Sequence, residues 1–373
     1  MRPLLLILLL AGLCACASGG GGNADEIAPQ TVDSSNWPAP LGSVELARDD
    51  RADAAALLDL ALSLFDPGIP EDPATHSKLG VFPEIRKAEA GYLPVLMREV
   101  LINSNAWGVV RVLPEPEDSA ELLLTGTIVH SDGLRLVLDV EVVDASGRLW
   151  LMQRYHDETV ASDYPATEDP YADLYRAVAN DLLQLRRELS ERDLVDIRRV
   201  ARLRYAQSLS PEAFGGYLNE SEGQYTLLRY PAPGDPMMAR VERIRNQEYL
   251  FVDNIDEQYA ELKEQMRPTY DLWRQYGREQ ALYREEYRQR VAERDRQGRR
   301  GSFAAMSQAY SQYRSSKIQE QDLRELAGGF DNEVAPTIMQ ASDRVFRLDG
   351  TLDAQYAEWR SILRQIFALE TGL

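Results

Sequence analysis

The stretch ELLLTGTIVHSDGLRLVLDVEVVDASGRLWLMQRY, residues 121–155, decides the fold. It contains three apolar runs separated by the turn signals SDG at 131–133 and DASG at 144–147. Short turns of this kind between apolar runs are typical of β hairpins. The sequence therefore predicts an antiparallel meander with strands at 121–130, 134–143 and 148–155.

The middle run alternates strictly between apolar and polar positions, as a strand with one buried face does. One face is predicted to carry Leu134, Leu136, Leu138, Val140 and Val142. The other face is predicted to carry Arg135, Asp139 and Glu141.

Further elements flank the meander on both sides. Upstream, the pattern predicts a buried strand at 54–65, with a helix as the alternative because the segment is rich in Ala and Leu, then a helix at 85–105 and a strand at 107–113. A strand–helix–strand unit places its two strands in parallel with a right-handed connection. A helix at 170–189 closes the region. The fold class expected here is α+β, with a mixed sheet.

After Leu189 the sequence becomes helical. Ser190 and Asp193 resemble a capping box that begins a helix ending near 209, and Ser210-Pro211 begins another. A loop or short hairpin follows at 215–236. The second half is expected to be an all-helical, partly coiled-coil-like bundle. Its features are a long helix kinked or split at Pro268, a turn at 297–301, a returning helix with Phe303, and a break at Asp349-Gly350 between the last two helices.

The N-terminus resembles a bacterial lipoprotein signal. A short basic start precedes an apolar run, Leu4 to Ala15, which is too short for a membrane-spanning helix. Cys16 follows Ala15 and has Leu13 three positions back, which resembles a lipobox. Cys14 is the alternative, but it follows Leu13, a residue poorly tolerated before the cut. We therefore predict lipidation at Cys16, with an ordinary cleaved signal as the competing interpretation.

The residues after Cys16 predict a flexible tether. The segment ASGGGGN at 17–23 is small and polar, and the chain stays polar and aperiodic to about residue 50, with Trp37 a candidate to dock on the body. The predicted organisation is a signal peptide at 1–15, a tether at 16–50, the α+β domain at 51–190 and the helical domain at 191–373. Ala17, rather than Asp, favours the outer membrane, facing the periplasm.

Composition limits the partners. The chain has a formal net charge of -19, and removal of residues 1–15 takes away Arg2 and leaves -20. Such a body does not suit nucleic acid, whose phosphates are neutralised by Lys and Arg. Both cysteines, Cys14 and Cys16, lie in the signal region. The mature body therefore has no disulfide and no thiol nucleophile.

Part of the chain resembles a known domain. Segments LPVLMR at 93–98, WGVVRV at 107–112 and LLTGTI at 123–128 follow the layout of a small α+β domain. That domain is found at the N-terminus of TolB, in lipoprotein activators of penicillin-binding proteins and in the curli secretion lipoprotein. The resemblance covers residues 57–183, about a third of the chain. It implies a role in envelope assembly and carries no functional residues over.

Candidate catalytic and metal-binding residues are few. His130 and His156 end two strands, so with Asp132 or Asp157 they form a possible metal site, although such histidines are more often surface residues. Asp139 and Glu141 share a strand face beside Arg135. This arrangement suits glycoside chemistry but is more often a solvated sheet face. We predict no catalytic residues, no metal and no cofactor.

The helical half carries an unusual aromatic series. It fits a docking surface for a protein or a glycan strand, and it fits a buried bundle seam better. Its members are Tyr259, Tyr270, Trp273, Tyr276, Tyr283, Tyr287, Tyr310 and Tyr313.

The sequence therefore favours a non-catalytic envelope lipoprotein that acts as a scaffold or interaction module. Its expected partners are the membrane, through the lipid, and a protein or peptidoglycan. A wall- or glycan-active hydrolase and a subunit of an oligomeric export or assembly complex, with possible homo-oligomers, are the alternatives.

Overall fold

A computed structural model describes residues 34–50, 57–164, 168–296, 336–342 and 344–372. The predicted signal peptide, the lipidation site at Cys16 and the predicted returning helix with Phe303 lie outside these residues. The coiled-coil pairing that this helix was expected to make also falls outside them.

A five-stranded mixed sheet lies at the centre of the protein, in the order β2-β1-β3-β4-β5. Strand β1 lies between β2 and β3 and is parallel to both, whereas β3, β4 and β5 form an antiparallel meander. The mixed α+β class is confirmed. The strands are β1 (Leu60–Ser63), β2 (Val110–Leu113), β3 (Leu122–Ser131), β4 (Arg135–Asp144) and β5 (Leu149–Glu158).

The helices of this half are α1 (Pro73–Leu79), α2 (Pro83–Asn103) and α3 (Ala172–Arg187). Helix α2 connects the parallel strands β1 and β2 and packs on the sheet, while α3 packs on β5. The predicted alternation of β4 is confirmed on the helix-covered face by four side chains that are at most 1% exposed: Leu136, Leu138, Val140 and Val142.

A 19-residue helix, a four-residue helix and a hairpin begin the second half. The predicted capping box is present at α4 (Glu191–Leu209): Ser190 Oγ accepts from the Asp193 N–H at 3.2 Å, and Asp193 Oδ2 accepts from the Ser190 N–H at 3.1 Å. Helix α5 (Pro211–Phe214) follows. Strands β6 (Leu218–Ser221) and β7 (Gln224–Leu227) then form the hairpin that the sequence left open as an alternative to a loop.

Helix α6 (Pro236–Arg296) is 61 residues long and does not split at Pro268. Proline removes one backbone hydrogen bond from a helix interior. The residues around it compensate, because Met266, Tyr270 and Trp273 are all buried against the body. At 1.5 Å per residue the helix is about 90 Å long.

The end of the chain differs from the prediction. Instead of a helix before Asp349, there is a hairpin of β8 (Thr337–Ala341) and β9 (Arg344–Leu348), followed by α7 (Leu352–Thr371). In β8 every second residue is buried, which is a strand period and not a helical one. Among the described residues of the second half, two small hairpins accompany the helices, so the expectation of an all-helical region is wrong in this detail.

The two predicted domains share one apolar core. Leu194 and Ile197 of α4 and Tyr270 of α6 belong to the same buried cluster as Leu138 of the sheet. Helix α6 runs beside the edge strand β2, where Asp253 Oδ1 lies 2.6 Å from Arg111 Nε. The junction at residue 190 is thus bridged by packing and by ion pairs.

Candidate functional site

The outer face of the sheet, defined here by Thr127, Asp139 and Arg154, holds the predicted carboxylates. Asp139 accepts two hydrogen bonds from Arg154, at 2.7 Å from Nε and 2.6 Å from Nη2. These residues are direct cross-strand partners in β4 and β5. Both oxygens of Asp139 are therefore engaged by a guanidinium, which makes this carboxylate part of a surface ion pair.

Glu141 lies on the same face and lines a shallow depression there. Its cross-strand neighbours are Thr125 and Met152, and Met152 is 68% exposed. A solvated sheet face describes this surface better than a catalytic cleft, which would enclose its carboxylates.

The two histidines come together around Trp37. Its ring centroid lies 4.8 Å from that of His130 and 5.2 Å from that of His156. Both histidines are opposite Val137 in the register, one on each neighbouring strand. The prediction that Trp37 docks on the body is confirmed. The indole lies between the histidines, so they form an aromatic cluster.

Of the two acidic residues proposed to complete a metal site, Asp132 lies beside a histidine and Asp157 does not. His130 Nε2 lies 3.0 Å from Asp132 Oδ2, whereas His156 Nδ1 lies 3.0 Å from the Pro38 carbonyl oxygen. Asp157 is paired with Leu136, which places it on the helix-covered face. Within the described ranges, no group of three His, Cys, Asp or Glu residues could hold a metal ion.

Asp157 is nevertheless unusual. Burial raises the pKa of this carboxyl to about 7, although the Glu158 and Leu174 backbone N–H groups partly oppose the shift. One of its oxygens, Oδ2, is buried without a hydrogen-bond partner among the described residues. The carboxyl is therefore protonated over much of the acidic range.

The aromatic series of α6 forms a buried seam, as its favoured interpretation predicts. Tyr259, Tyr270 and Trp273 are at most 3% exposed. Tyr270 stacks on Trp273 at 5.8 Å and meets Tyr92 of α2 edge-on at 4.8 Å. Tyr276 and Tyr283 are half-buried. The side chains of Tyr287, Tyr310 and Tyr313 lie outside the described residues.

Charged residues that the sequence analysis did not single out lie inside this seam. Arg274 is fully buried, with Nη1 2.5 Å from Asp169 Oδ2 and its guanidinium 4.0 Å from the Tyr270 ring centre. Burial tends to lower the Arg274 pKa, but Asp169 and Tyr270 outweigh it and hold the pKa well above its ordinary value. Nearby, Glu89 accepts from Ser131 Oγ at 2.5 Å and from Tyr270 OH at 2.6 Å.

A second buried network joins α6 to α4 and α7. Glu248 accepts from Tyr205 OH at 2.7 Å and from Tyr356 OH at 2.9 Å, and Arg360 Nε lies 3.3 Å away. Burial raises the Glu248 pKa, with Arg360 opposing the shift. Beside it, Arg245 packs against Tyr205 and lines a small cavity of about 40 Å³ between α6 and the sheet.

A signal for these residues exists in the sequence. Arg245, Glu248, Tyr259, Tyr270 and Arg274 follow the same three- and four-residue spacing as the apolar stripe of α6. A charge inside such a stripe is carried into the core with it. The Arg274–Glu89 network and the Glu248 network join α6 to the helices and loops packed against it.

Helix α6 leaves the body near the β3–β4 turn. Gly277 is so close to that turn that an added Cβ would lie 2.6 Å from the Asp132 carbonyl oxygen. Farther along, Arg135 pairs with Glu285. Gln289 is exposed. The Arg135–Glu285 ion pair joins this part of α6 to strand β4.

Comparisons with known protein families, curated proteins and solved structures found no match to this chain. Over the part of the chain that the structure describes, no helix is both long enough and apolar enough to cross a bilayer.

Proposed function

We propose that the protein is an envelope lipoprotein, held on a membrane by acyl chains at Cys16, whose body is a non-catalytic scaffold for a protein or peptidoglycan partner. The observation that carries this proposal is the mounting of α6. The buried Arg274–Asp169 pair and the half-buried Arg135–Glu285 pair fix the helix to the body up to Glu285, and it continues to Arg296, a further eleven residues or about 16 Å.

Rigid mounting of a long helix suits presentation of a binding surface. A surface held by a packed scaffold loses little conformational entropy on binding. On the outer face of the sheet, both oxygens of Asp139 accept hydrogen bonds from Arg154, so this carboxylate is less suited to acid–base chemistry. The part of α6 beyond Glu285, called distal α6 here, is therefore the surface we assign to the partner.

Site-specific photocrosslinking in intact cells tests this assignment. A photoreactive amino acid at Gln289, exposed on distal α6, is compared with one at Asn219, exposed on β6. We expect a discrete adduct at Gln289 that is absent at Asn219. Loss of the adduct after muramidase digestion identifies peptidoglycan, and persistence identifies a protein. The same adduct pattern at both positions, or none at Gln289, would contradict the proposal.

A further inference from the structure

Residues 34–50, called the strap here, lie on the body in an ordered sequence of contacts. In the N-terminal half of the strap, the Leu41 N–H donates to the His156 carbonyl oxygen at 2.8 Å. In the middle, Val44 N–H donates to Asp173 Oδ1 at 3.0 Å and Ala47 N–H to Asn180 Oδ1 at 2.8 Å. The partners thus proceed from β5 along α3 in the same order as the strap residues.

This order determines how the strap separates from the body. Force applied at residue 34 loads the contacts one after another, beginning with Trp37, because each later contact stays shielded until the earlier one opens. A parallel arrangement, in which all contacts share the load, would resist together. The strap is therefore arranged to unzip from its N-terminal end.

The contacts along most of the strap are weak. No strap residue is fully buried, and only Leu41, Leu46 and Ala47 pack partly against the apolar core. Among the described residues, two backbone-to-backbone hydrogen bonds join the strap to the body, from Leu41 and from Asp49. Segments with few buried apolar contacts open locally at much lower free energy than the core does.

The C-terminal end of the strap is held more firmly than the rest, by Asp49. Asp49 pairs with Arg186, whose side chain is 7% exposed and also donates to the Ala106 carbonyl. Asp49 N–H donates to the Ser104 carbonyl at 2.9 Å. Separating Asp49 would leave a buried guanidinium without its carboxylate, which is far more costly than breaking an exposed contact.

The N-terminal end of the strap is held mainly by Trp37. Its ring packs between His130 and His156, and Arg154 Nη1 lies 3.5 Å from the carbonyl of Asn36 just before it. The indole is half-buried, so its release exposes aromatic surface but strands no charge.

We propose that the strap is a releasable extension of the tether, with a latch at Trp37 that opens and a lock at Asp49–Arg186 that stays closed. Opening the latch frees residues 34–48. These fifteen residues can span at most about 50 Å when extended. The inference rests on the proposed lipid at Cys16, which holds the N-terminal end at the membrane, so that movement of the body away from the membrane pulls on the strap. Release then increases the distance that the body reaches from the membrane. The latch itself does not depend on lipidation.

Hydrogen exchange on the purified mature chain tests the latch. In the wild type, the amides of Leu41, Val44 and Ala47 should exchange at least about a hundredfold faster than those of β4, while the Asp49 amide stays protected. Trp37→Ala should speed the first three a further tenfold or so and leave Asp49 unchanged. Val160→Ala, which alters an exposed apolar residue just beyond β5, is the matched control and should change none of them.

A second variant tests the lock. Asp49→Asn weakens the pair with Arg186, so all four strap amides should exchange at one fast rate. The proposal is overturned if the wild-type strap amides exchange only with global unfolding, or if Trp37→Ala speeds Asp49 as much as Leu41. Because exchange is measured without the lipid, a failure here is distinct from a failure to find acyl chains on Cys16.

Discussion

The β3–β5 meander and the seam of α6 are both buried, but different interactions position them. The middle strand of the meander, β4, is fixed by alternation, which puts an apolar side chain on the helix-covered face at Leu136, Leu138, Val140 and Val142. The seam mixes aromatic rings with fully buried charges, such as Arg274 and Glu89. Apolar burial supplies stability with little directional preference, whereas a paired buried charge tolerates only one position of the helix.

The largest expected effect is on the charged side of this comparison. Arg274→Ala leaves Asp169 without its partner in the seam, so the free energy of unfolding should fall by about 3–5 kcal/mol. Urea denaturation measures the change. The control is Arg192→Ala, whose side chain is 91% exposed beside Asp196 and which should cost less than about 0.5 kcal/mol. Equal effects would mean that the buried pair does not hold the helix.

The apolar side is tested by Leu138→Ala in β4. This side chain is fully buried, so its truncation leaves a cavity and should lower the free energy of unfolding by about 3 kcal/mol. Met152→Ala on the neighbouring strand, at an exposed position, should change it by less than about 0.5 kcal/mol. A small loss for Leu138→Ala would show that alternation is not what stabilises the meander.

The boundary between the sheet and α3 should respond to pH. The Asp157 carboxyl keeps its proton up to about pH 7, whereas the unfolded chain releases it near its ordinary value of 3.8. The wild-type free energy of unfolding should therefore fall as the pH rises from about 4 to 7, because the folded state binds more protons there.

Asp157→Asn removes the contribution of Asp157 to the pH dependence of the free energy of unfolding. The variant should match the wild type near pH 4 and exceed it by about 4 kcal/mol at pH 8, since the shift from 3.8 to about 7 is about three units and each unit corresponds to about 1.4 kcal/mol. Denaturation curves at several pH values measure the difference. A gap between the two proteins that does not change with pH contradicts the assignment.

A smaller effect is expected where α6 crosses the β3–β4 turn. In Gly277→Ala the new methyl group meets the Asp132 carbonyl, while alanine favours the helix intrinsically, so the net loss should be about 1 kcal/mol. The control, Gln275→Ala at an exposed position of the same helix, should be neutral or slightly stabilising. A stabilised Gly277→Ala protein would show that the helix and the turn are not in tight contact.

The smallest effect belongs to the outer face. Asp139→Asn breaks a surface ion pair with Arg154 and should cost less than about 1 kcal/mol. We expect the purified protein not to degrade peptidoglycan. Degradation that disappears in Asp139→Asn or Glu141→Gln would instead establish the carboxylate hydrolase considered from the sequence.

The sequence predicted the meander well because its information is local. Alternation and the turn at 131–133 depend only on neighbouring residues, and the capping box at Ser190 does too. Pro268 is a local signal that predicts the wrong outcome if α6 is expected to split there. The helix is continuous, because the packing of Tyr270 and Trp273 outweighs the lost hydrogen bond. The sequence predicts a helix where β8 and β9 form a hairpin, because strands of five residues are too short to show a period of two clearly in the sequence.

The polar junctions were harder to predict. Arg274 pairs with Asp169, which is 105 residues away in sequence. Trp37 contacts His130 and His156, which are 26 residues apart in sequence. A charge within an apolar stripe indicates burial, but the partner is decided by the topology. The positions of the candidate histidines and carboxylates on strands were predictable, whereas their engagement by Trp37 and Arg154 was not.

Mass spectrometry of the mature N-terminus is the most direct test of the proposal that a lipid holds this body on a membrane. The protein is purified from membranes in detergent and its N-terminal peptide is analysed. The account predicts that the chain begins at Cys16 and that this residue carries a diacylglyceryl group. An unmodified chain that begins elsewhere would contradict it.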